Sequence, residues 1–187
     1  MRVNAPITAV AAGTEMVHGV ILAAGGSTRM GRPKALLDVG GRCLLRAHVD
    51  AMEAAGLRVI VILGFEEIAH RAVLPESVEV RVNPAWKTTS MMESAEIGLA
   101  GVGTAILTPV DVPPASVRNL ARLLAAQRTA FLCHQGVAGH PIRLSPPHIR
   151  EKLSDRMKGA LPIETDDESC LMNLNTPADW AAWRKKM

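Results

Sequence analysis

Residues 20–34 join an apolar run to a loop rich in glycines, hydroxyls and cations, a combination that suits phosphate binding. The loop carries three glycines, two hydroxyls and three cations, namely Gly25, Gly26, Gly31, Ser27, Thr28, Arg29, Arg32 and Lys34. Glycines let backbone N–H groups turn toward a ligand, and fixed cations attract phosphate oxygens. The residue types therefore predict a loop that binds a nucleotide or another phosphorylated compound.

Neither of the two best-known glycine-rich motifs fits this loop. A P-loop needs lysine and then serine or threonine directly after its second glycine, whereas Gly31 is followed by Arg32, Pro33 and Lys34. The dinucleotide-binding pattern G-x-G-x-x-G does not occur in the loop either. The loop therefore predicts a phosphate site of another class, and a basic surface loop without function is the alternative.

An isolated carboxylate follows a later apolar run. Asp111 comes directly after residues 104–110 and lies between Pro109 and Pro113, which restrict the backbone around it. Mg²⁺ usually binds one or two carboxylates together with phosphate oxygens, so a rigidly held carboxylate suits a magnesium site. A turn or helix-capping role for Asp111 is the alternative.

The elements that must position these residues alternate between apolar strands and amphipathic helices. The pattern predicts strands at 20–23, 58–63, 78–82, 104–110 and 129–133, and helices at 44–55, 66–74, 90–99 and 116–127. This alternation predicts a single α/β domain with a mostly parallel twisted sheet and helices on both faces. If the strands are parallel, Gly25, Gly64, Asn83 and Asp111 all lie at one rim of the sheet.

The loop resembles the signature L-A-(A/G)-G-x-S-x-R-M-G-x-x-K-x-L-L of the nucleotidyltransferase superfamily. Residues 22–37 match it from Leu22 to Leu37, including the spacing of Gly25, Arg29 and Lys34. Within this superfamily, the loop is most similar to that of the MobA-like NTP transferases, which attach CMP or GMP to molybdopterin. The fold that this resemblance implies is Rossmann-like, of the nucleotide-diphospho-sugar transferase type.

Other segments resemble further motifs of the same family. They are residues 111–113 (the Asp-x-Pro motif that binds magnesium), residues 83–94 (the N-P-x-W segment that helps to hold the nucleotide), residues 139–141 (G-H-P, near the acceptor) and residues 173–180 (the N-x-N-T-P ending). Some relatives have aspartate where Asn175 stands. Asn175 therefore binds metal, contacts the acceptor or braces the loop, and the sequence leaves the three roles open.

The resemblance implies a set of site residues. Arg29, Lys34 and Asp111 are expected to be catalytic, and Asp111 is expected to bind Mg²⁺. The residues expected to bind the nucleotide are Leu22, Ala23, Ala24, Gly25, Gly26, Ser27, Asn83 and Ser94. His140 and Asn175 are expected to contact the acceptor. As a loop cation, Lys34 is expected to be exposed and to contribute little to folding.

The implied reaction is transfer of a nucleoside monophosphate from a nucleoside triphosphate to the phosphate of molybdopterin, with release of pyrophosphate. The methyl group of Ala24, where guanylyltransferases usually have glycine, favours CTP, whereas the asparagine-rich ending favours GTP; the balance lies narrowly with CTP. A molybdoenzyme or its chaperone is the implied protein partner. Two alternatives stay open: a transferase that acts on a sugar 1-phosphate or phosphocholine, and a nucleotide-binding module without catalysis.

Composition limits the remaining possibilities. The 187 residues, 48% of them hydrophobic, suffice for one core, so we expect a domain at 17–187 and a mobile extension at 1–16. The net charge of +3 does not indicate nucleic-acid binding, and the apolar runs are too short for a membrane span. Three widely spaced cysteines favour the reducing cytoplasm.

Overall fold

The computed structural model describes residues 16–146, 155 and 157–187, so the extension expected at 1–16 lies outside the described residues except for Met16. The strands are β1 (His18–Ala23), β2 (Arg58–Leu63), β3 (Glu79–Val82), β4 (Ala105–Pro109), β5 (Ala130–His134), β6 (Val137–Leu144) and β7 (Leu161–Glu164). The α-helices are α1 (Leu44–Ala54), α2 (Glu67–Arg71), α3 (Met91–Leu99), α4 (Val117–Ala125) and α5 (Pro177–Arg184). No helix in this part of the chain is long and apolar enough to span a membrane.

The strands form one sheet in the order β3-β2-β1-β4-β6-β5-β7. Strands β1 to β4 pair in parallel, β5 pairs in parallel with β7, and β6 runs antiparallel to both of its neighbours. Parallel strands are covered on both faces, which explains why β1 and β2 are almost continuously apolar and buried. The prediction of a mostly parallel sheet is confirmed.

Alternate residues of the central strands feed two separate cores. Ile21 and Val61 pack on one face of the sheet in a cluster that includes residues of α1 and α4. Val20 and Ile60 pack on the other face, in a cluster that includes residues of α3. Side chains of a strand point alternately to opposite faces, so one apolar run serves both layers. Helices on both faces of the sheet are therefore confirmed.

The helix ends follow local rules, with one departure from prediction. Ser90 begins α3 with a capping box, in which its hydroxyl and the Glu93 side chain each pair with the other residue's backbone N–H. Gly56 follows α1 with φ of 81°, as expected for a terminating glycine. The helix predicted at 66–74 spans only Glu67–Arg71: Glu66 adopts a left-handed conformation at its start, and residues 72–74 form a turn.

Two strands were not predicted. Strand β6 contains the His140-Pro141 pair, and proline is unfavourable inside a strand because it has no N–H to donate to the sheet. The pairing of β5 with β6 passes from Phe131↔Ile142 to Cys133↔Ala138, so Pro141 lies where the ladder is irregular. A proline without an N–H is tolerated at such a position. Short strand β7 was missed as well, because its four residues give little periodicity.

Candidate active site

The candidate site is a cleft at the carboxyl ends of β1 and β4. From β1 the chain continues to β2 and β3 on one side of β1, and it then crosses to β4 on the other side. The strand order therefore reverses between β1 and β4. Ligands of open α/β sheets bind at such reversals. The cleft has a volume of about 180 Å³ and is lined by Leu22, Ala24, Gly25, Ser27, Lys34, Trp86, Thr89, Ser90, Met91, Ser94, Pro109, Val110 and Asp111.

The glycine-rich loop that follows β1 is held by contacts within itself and with the end of the chain. Ser27 adopts a left-handed conformation with φ of 49°, and its hydroxyl accepts a hydrogen bond of 3.1 Å from the backbone N–H of Lys34. Met30 is buried in an apolar cluster with Leu174 and Trp180. The loop therefore turns back on itself at Ser27 and is fixed to the segment before α5 through Met30.

Lys34 lies at the centre of the site and joins three distant segments. Its ammonium donates to Asp111 Oδ2 at 3.2 Å and to Asn175 Oδ1 at 2.8 Å. The Lys34 side chain is only 11% exposed, and that of Asp111 is 28% exposed. The prediction that Lys34 is an exposed cation is wrong, because the loop turns the side chain inward between β4 and the segment before α5.

The backbone around Asp111 is fixed from two sides. The carbonyl of Asp111 accepts a hydrogen bond of 2.6 Å from the N–H of Leu174. The carbonyl of Val112 accepts one of 2.9 Å from Nε2–H of His48, a buried residue of α1. Burial lowers the pKa of His48 to about 4, so the ring is neutral near pH 7. His48 lies in the helix predicted at 44–55, and no motif of the sequence singles it out.

Asn83 and Ser94 form a polar pair behind the wall of the cleft. The Asn83 side chain is buried, accepts from the Ala85 N–H and donates to the hydroxyls of Ser94 at 2.9 Å and Thr89 at 2.8 Å. Because Asn83 is the donor, Ser94 uses its oxygen in this bond and keeps its proton for another acceptor. Asn83 therefore orients Ser94, which lines the cleft, and direct contact of Asn83 with a nucleotide stays a prediction.

An aromatic pair forms the side of the cleft next to β2. The rings of Phe65 and Trp86 meet edge to face with centroids 5.2 Å apart. A Cβ atom added to Gly26 would lie 3.1 Å from the Trp86 ring, and one added to Gly64 would lie 2.7 Å from Trp86 Cβ. Gly64 is therefore needed for the close approach of Trp86, whereas a Cβ at Gly26 would require the ring to shift by a few tenths of an ångström.

Two predicted residues lie at the edge of this arrangement. Arg29 is exposed on the short 3₁₀ helix Thr28–Met30 and is not among the described residues that line the cleft. His140 is half-buried, and its Nδ1 has no hydrogen-bond partner among the described residues. Burial lowers the pKa of His140, while the Asp111 carboxylate acts in the opposite direction. The roles of Arg29 in phosphate binding and of His140 in acceptor binding stay predictions.

The remaining predicted residues divide between the cleft and its support. Those that line it are Leu22, Ala24, Gly25, Ser27, Ser94, Lys34 and Asp111. Ala23 is buried in the core, Gly26 contacts Trp86, and Asn175 reaches the site through Lys34. The lining residues Thr89, Met91, Pro109 and Val110 were not predicted. Thr89 and Met91 lie within the segment 83–94 that resembles the family's nucleotide-holding motif, and Pro109 and Val110 directly precede Asp111.

Two oxygen atoms in the site suit a hard divalent cation. Asp111 Oδ2 and Asn175 Oδ1 both lie within 3.2 Å of one cation, the ammonium of Lys34. A carboxylate and an amide oxygen that converge in this way are ligands of the kind that Mg²⁺ binds, with phosphate oxygens and water completing its coordination. The residues present therefore fit a metal that arrives with a polyphosphate.

The sequence matches one family model and several known proteins. The family model described as MobA-like NTP transferase domain matches residues 19–167. A molybdenum cofactor guanylyltransferase of Xanthomonas euvesicatoria is 28% identical over 182 residues, covering 87% of this chain and 92% of that protein. A molybdenum cofactor cytidylyltransferase of Escherichia coli is 22% identical over 183 residues, covering 89% and 95%. A nicotine blue oxidoreductase of Paenarthrobacter nicotinovorans is 37% identical over 119 residues, covering 60% and 57%.

Solved structures share the same fold. The protein Rv0371c of Mycobacterium tuberculosis superposes with a TM-score of 0.78 at 23% identity, covering 92% of this chain and 100% of that chain. Its complex with manganese superposes with a TM-score of 0.74 at 22% identity, covering the same shares of the two chains. These likenesses show that the fold is shared over most of the chain.

Proposed function

Because this chain belongs to the family of MobA-like NTP transferase domains, we propose that it transfers a nucleoside monophosphate from a nucleoside triphosphate to the phosphate of molybdopterin. The resemblance drawn from residues 22–37 is confirmed, and nucleotidyl transfer is the enzymatic activity of the family. The acceptor is our proposal. It is supported by the two relatives named for the molybdenum cofactor, whose alignments each cover most of this chain.

One observation carries the proposal: the meeting of Lys34, Asp111 and Asn175 at the reversal of strand order. It brings a cation and two oxygen ligands together next to a loop whose glycines admit phosphate. Nucleotidyl transfer needs these parts, because positive charge must hold a triphosphate in line with its acceptor and stabilise the leaving group.

The proposed reaction is a direct displacement. An oxygen of the acceptor phosphate forms a bond to the α-phosphorus, and the bond between that phosphorus and the oxygen bridging to the β-phosphate breaks. Pyrophosphate leaves with the bonding electrons. Lys34 holds the phosphates and offsets the charge that develops on the leaving group, and Arg29 approaches the same phosphates from the exposed side of the loop.

A divalent cation, Mg²⁺ by proposal, completes the site. Asp111 would hold it, with the amide oxygen of Asn175 as a second protein ligand. Bound with the triphosphate, such a cation neutralises phosphate charge and makes the α-phosphorus a better electrophile. The protein supplies the rest, because the contacts of Leu174 and His48 with the backbone around Asp111 fix the direction of its carboxylate.

We propose that CTP is preferred to GTP. The names of the relatives include a guanylyltransferase and a cytidylyltransferase, so the argument depends on the cleft. The Ala24 methyl lines the cleft and narrows the space beside the base. The Ser94 hydroxyl, which still has a donor and an acceptor site after its bond from Asn83, can pair with either base. The preference therefore rests on size, because the single ring of cytosine needs less room beside Ala24 than the purine of GTP.

The proposal extends to the protein that receives the product and to the compartment in which the reaction takes place. A molybdoenzyme or its chaperone would receive the nucleotide form of the cofactor, and the reaction would occur in the cytoplasm. The three cysteines, which are free thiols, agree with a reducing environment.

The experiment that tests the function is a panel of pyrophosphate-release assays. CTP and GTP are each combined with molybdopterin, a sugar 1-phosphate or phosphocholine, and each triphosphate is also assayed without an acceptor. We expect pyrophosphate release only when molybdopterin is the acceptor, and faster release from CTP than from GTP. Release that requires one of the other acceptors would reassign the substrate. Nucleotide binding without release under any combination would mean that the chain is not a catalyst.

A further inference from the structure

His48 is a polar residue in a position where the helix would otherwise be apolar. It follows Leu44 and precedes Met52 by one helical turn each, and both neighbours are buried in the core. The residue is 2% exposed, so its ring is withdrawn from water. Burying a polar ring is unfavourable unless it is hydrogen-bonded, and a leucine would fill this position without that cost. The histidine therefore needs an explanation beyond packing.

The hydrogen bond of His48 is directed at the turn that carries Asp111. Nε2–H lies 2.9 Å from the carbonyl oxygen of Val112, and the carbonyl of Val110 also lies near enough to interact with the ring. His48 thus faces the residues on both sides of Asp111. The carbonyl of Asp111 itself is bonded to the N–H of Leu174. The bonds from Leu174 and His48 therefore restrain the carbonyls of Asp111 and Val112, and the Asp111 carboxylate is left to face Lys34.

A second buried histidine provides a comparison. His70, also 2% exposed, bonds through Nδ1–H to the carbonyl of Phe65 at 2.9 Å. That bond fixes the loop after β2, which belongs to the aromatic side of the cleft and not to the Asp111 turn. Both histidines are 2% exposed and pair with a backbone carbonyl at 2.9 Å, but His70 bonds five residues back in its own segment, whereas His48 bonds to a segment 64 residues away.

We propose that His48 is a positioning residue for Asp111, which acts by holding the Val112 carbonyl so that the carboxylate presents its oxygens to Lys34 and to a divalent cation. The inference rests on the proposed function, because it takes the Asp111 carboxylate as a ligand for the metal that accompanies the triphosphate. Residues that orient a metal ligand typically change metal affinity by about 10- to 100-fold when they are removed.

The test compares His48→Leu, which keeps the bulk but removes the donor, with His48→Gln, whose side-chain NH₂ can replace Nε2–H. The first readout is the affinity for Mn²⁺ in the presence of CTP or GTP without acceptor, measured by electron paramagnetic resonance. The second is the Mg²⁺ concentration that gives half-maximal pyrophosphate release. We expect His48→Leu to weaken both by about 10-fold or more, and His48→Gln to restore most of the loss. His70→Leu, the comparison variant, removes a hydrogen bond of the same length from a loop that does not carry Asp111, and it should leave the Mn²⁺ affinity at saturating nucleotide unchanged.

Each outcome decides between positioning and simple structural support. Unchanged Mn²⁺ affinity in a folded His48→Leu protein, or an equal loss in His70→Leu, would overturn the proposal. If His48→Leu does not fold, His48→Asn replaces it, because the shorter amide cannot reach Val112 and should behave unlike His48→Gln. The binding readout needs no acceptor. It therefore supports or refutes the role of His48 even if the wild-type protein transfers nothing to molybdopterin.

Discussion

Replacing Lys34 with methionine removes the central positive charge of the site while it keeps most of the length and bulk of the side chain. Two hydrogen bonds are lost, at 3.2 Å to Asp111 and at 2.8 Å to Asn175. A hydrogen bond that involves a charged group contributes about 1.5–3 kcal/mol to stability. Because the Asp111 side chain is 28% exposed, water can replace part of the lost interaction. We therefore expect a loss of about 1–2 kcal/mol, or a Tm lower by about 2–8 °C.

The effect on catalysis should be larger than the effect on folding. Removing one preorganised group that stabilises transition-state charge lowers kcat by about 100-fold or more. The assays are pyrophosphate release and thermal unfolding. Lys158→Ala is the matched control, because Lys158 forms an ion pair of 2.7 Å with Asp155 but is 80% exposed. It should change neither quantity measurably. Wild-type kcat in Lys34→Met would refute the assignment of Lys34 to the site, and an unchanged Tm would refute its structural role.

Three further expectations follow from the same geometry. Asp111→Asn should stay folded but require far more Mg²⁺ for pyrophosphate release, and chelation should abolish wild-type activity; an enzyme indifferent to chelator would contradict the metal assignment. Ala24→Gly should lower the CTP-to-GTP ratio of kcat/KM by an amount equivalent to about 1–3 kcal/mol, and a ratio that does not move would dismiss the steric argument. The pKa of His48 is about 4 in the folded protein and about 6.5 in the unfolded chain. Between these two pH values the unfolded chain binds a proton that the folded protein does not, so the free energy of unfolding falls as the pH drops below about 6.5. The contribution of His48 to the free energy of urea unfolding should be about 2 kcal/mol smaller at pH 5 than at pH 7, and His48→Gln should lack this pH dependence. The same pH dependence in wild type and His48→Gln would contradict the expectation.

The parallel half of the fold was predictable because its signals are local. Continuous apolar runs such as 58–63 mark buried strands, and Ser90 and Gly56 mark helix ends by their own chemistry. Strand β6 was not predictable in this way. Its proline contradicts strand propensity, and only the irregular pairing with β5 makes Pro141 acceptable there. That pairing is a tertiary property that no short segment of sequence carries.

The residues of the site likewise include some that the local sequence could predict and others whose position depends on tertiary contacts. The motif spacing was sufficient to predict Lys34 and Asp111, and the parallel order of β1 and β4 brings them to one rim. Sequence could not predict that Lys34 is buried, because its burial depends on the loop turn at Ser27 and on Asn175, which lies 141 residues further along the chain. Nor could it separate His48 from an ordinary core position, since the partner of its ring is a backbone carbonyl.

The central claim is that the α-phosphoryl group of the nucleotide passes directly to the acceptor. The most direct measurement follows CTP or GTP labelled at the α-phosphorus during incubation with this protein, Mg²⁺ and molybdopterin. We predict that the label appears in a molybdopterin dinucleotide in equal amount to the pyrophosphate released, and that none is bound to the protein. Label recovered as free nucleoside monophosphate, or attached to the protein, would contradict the account.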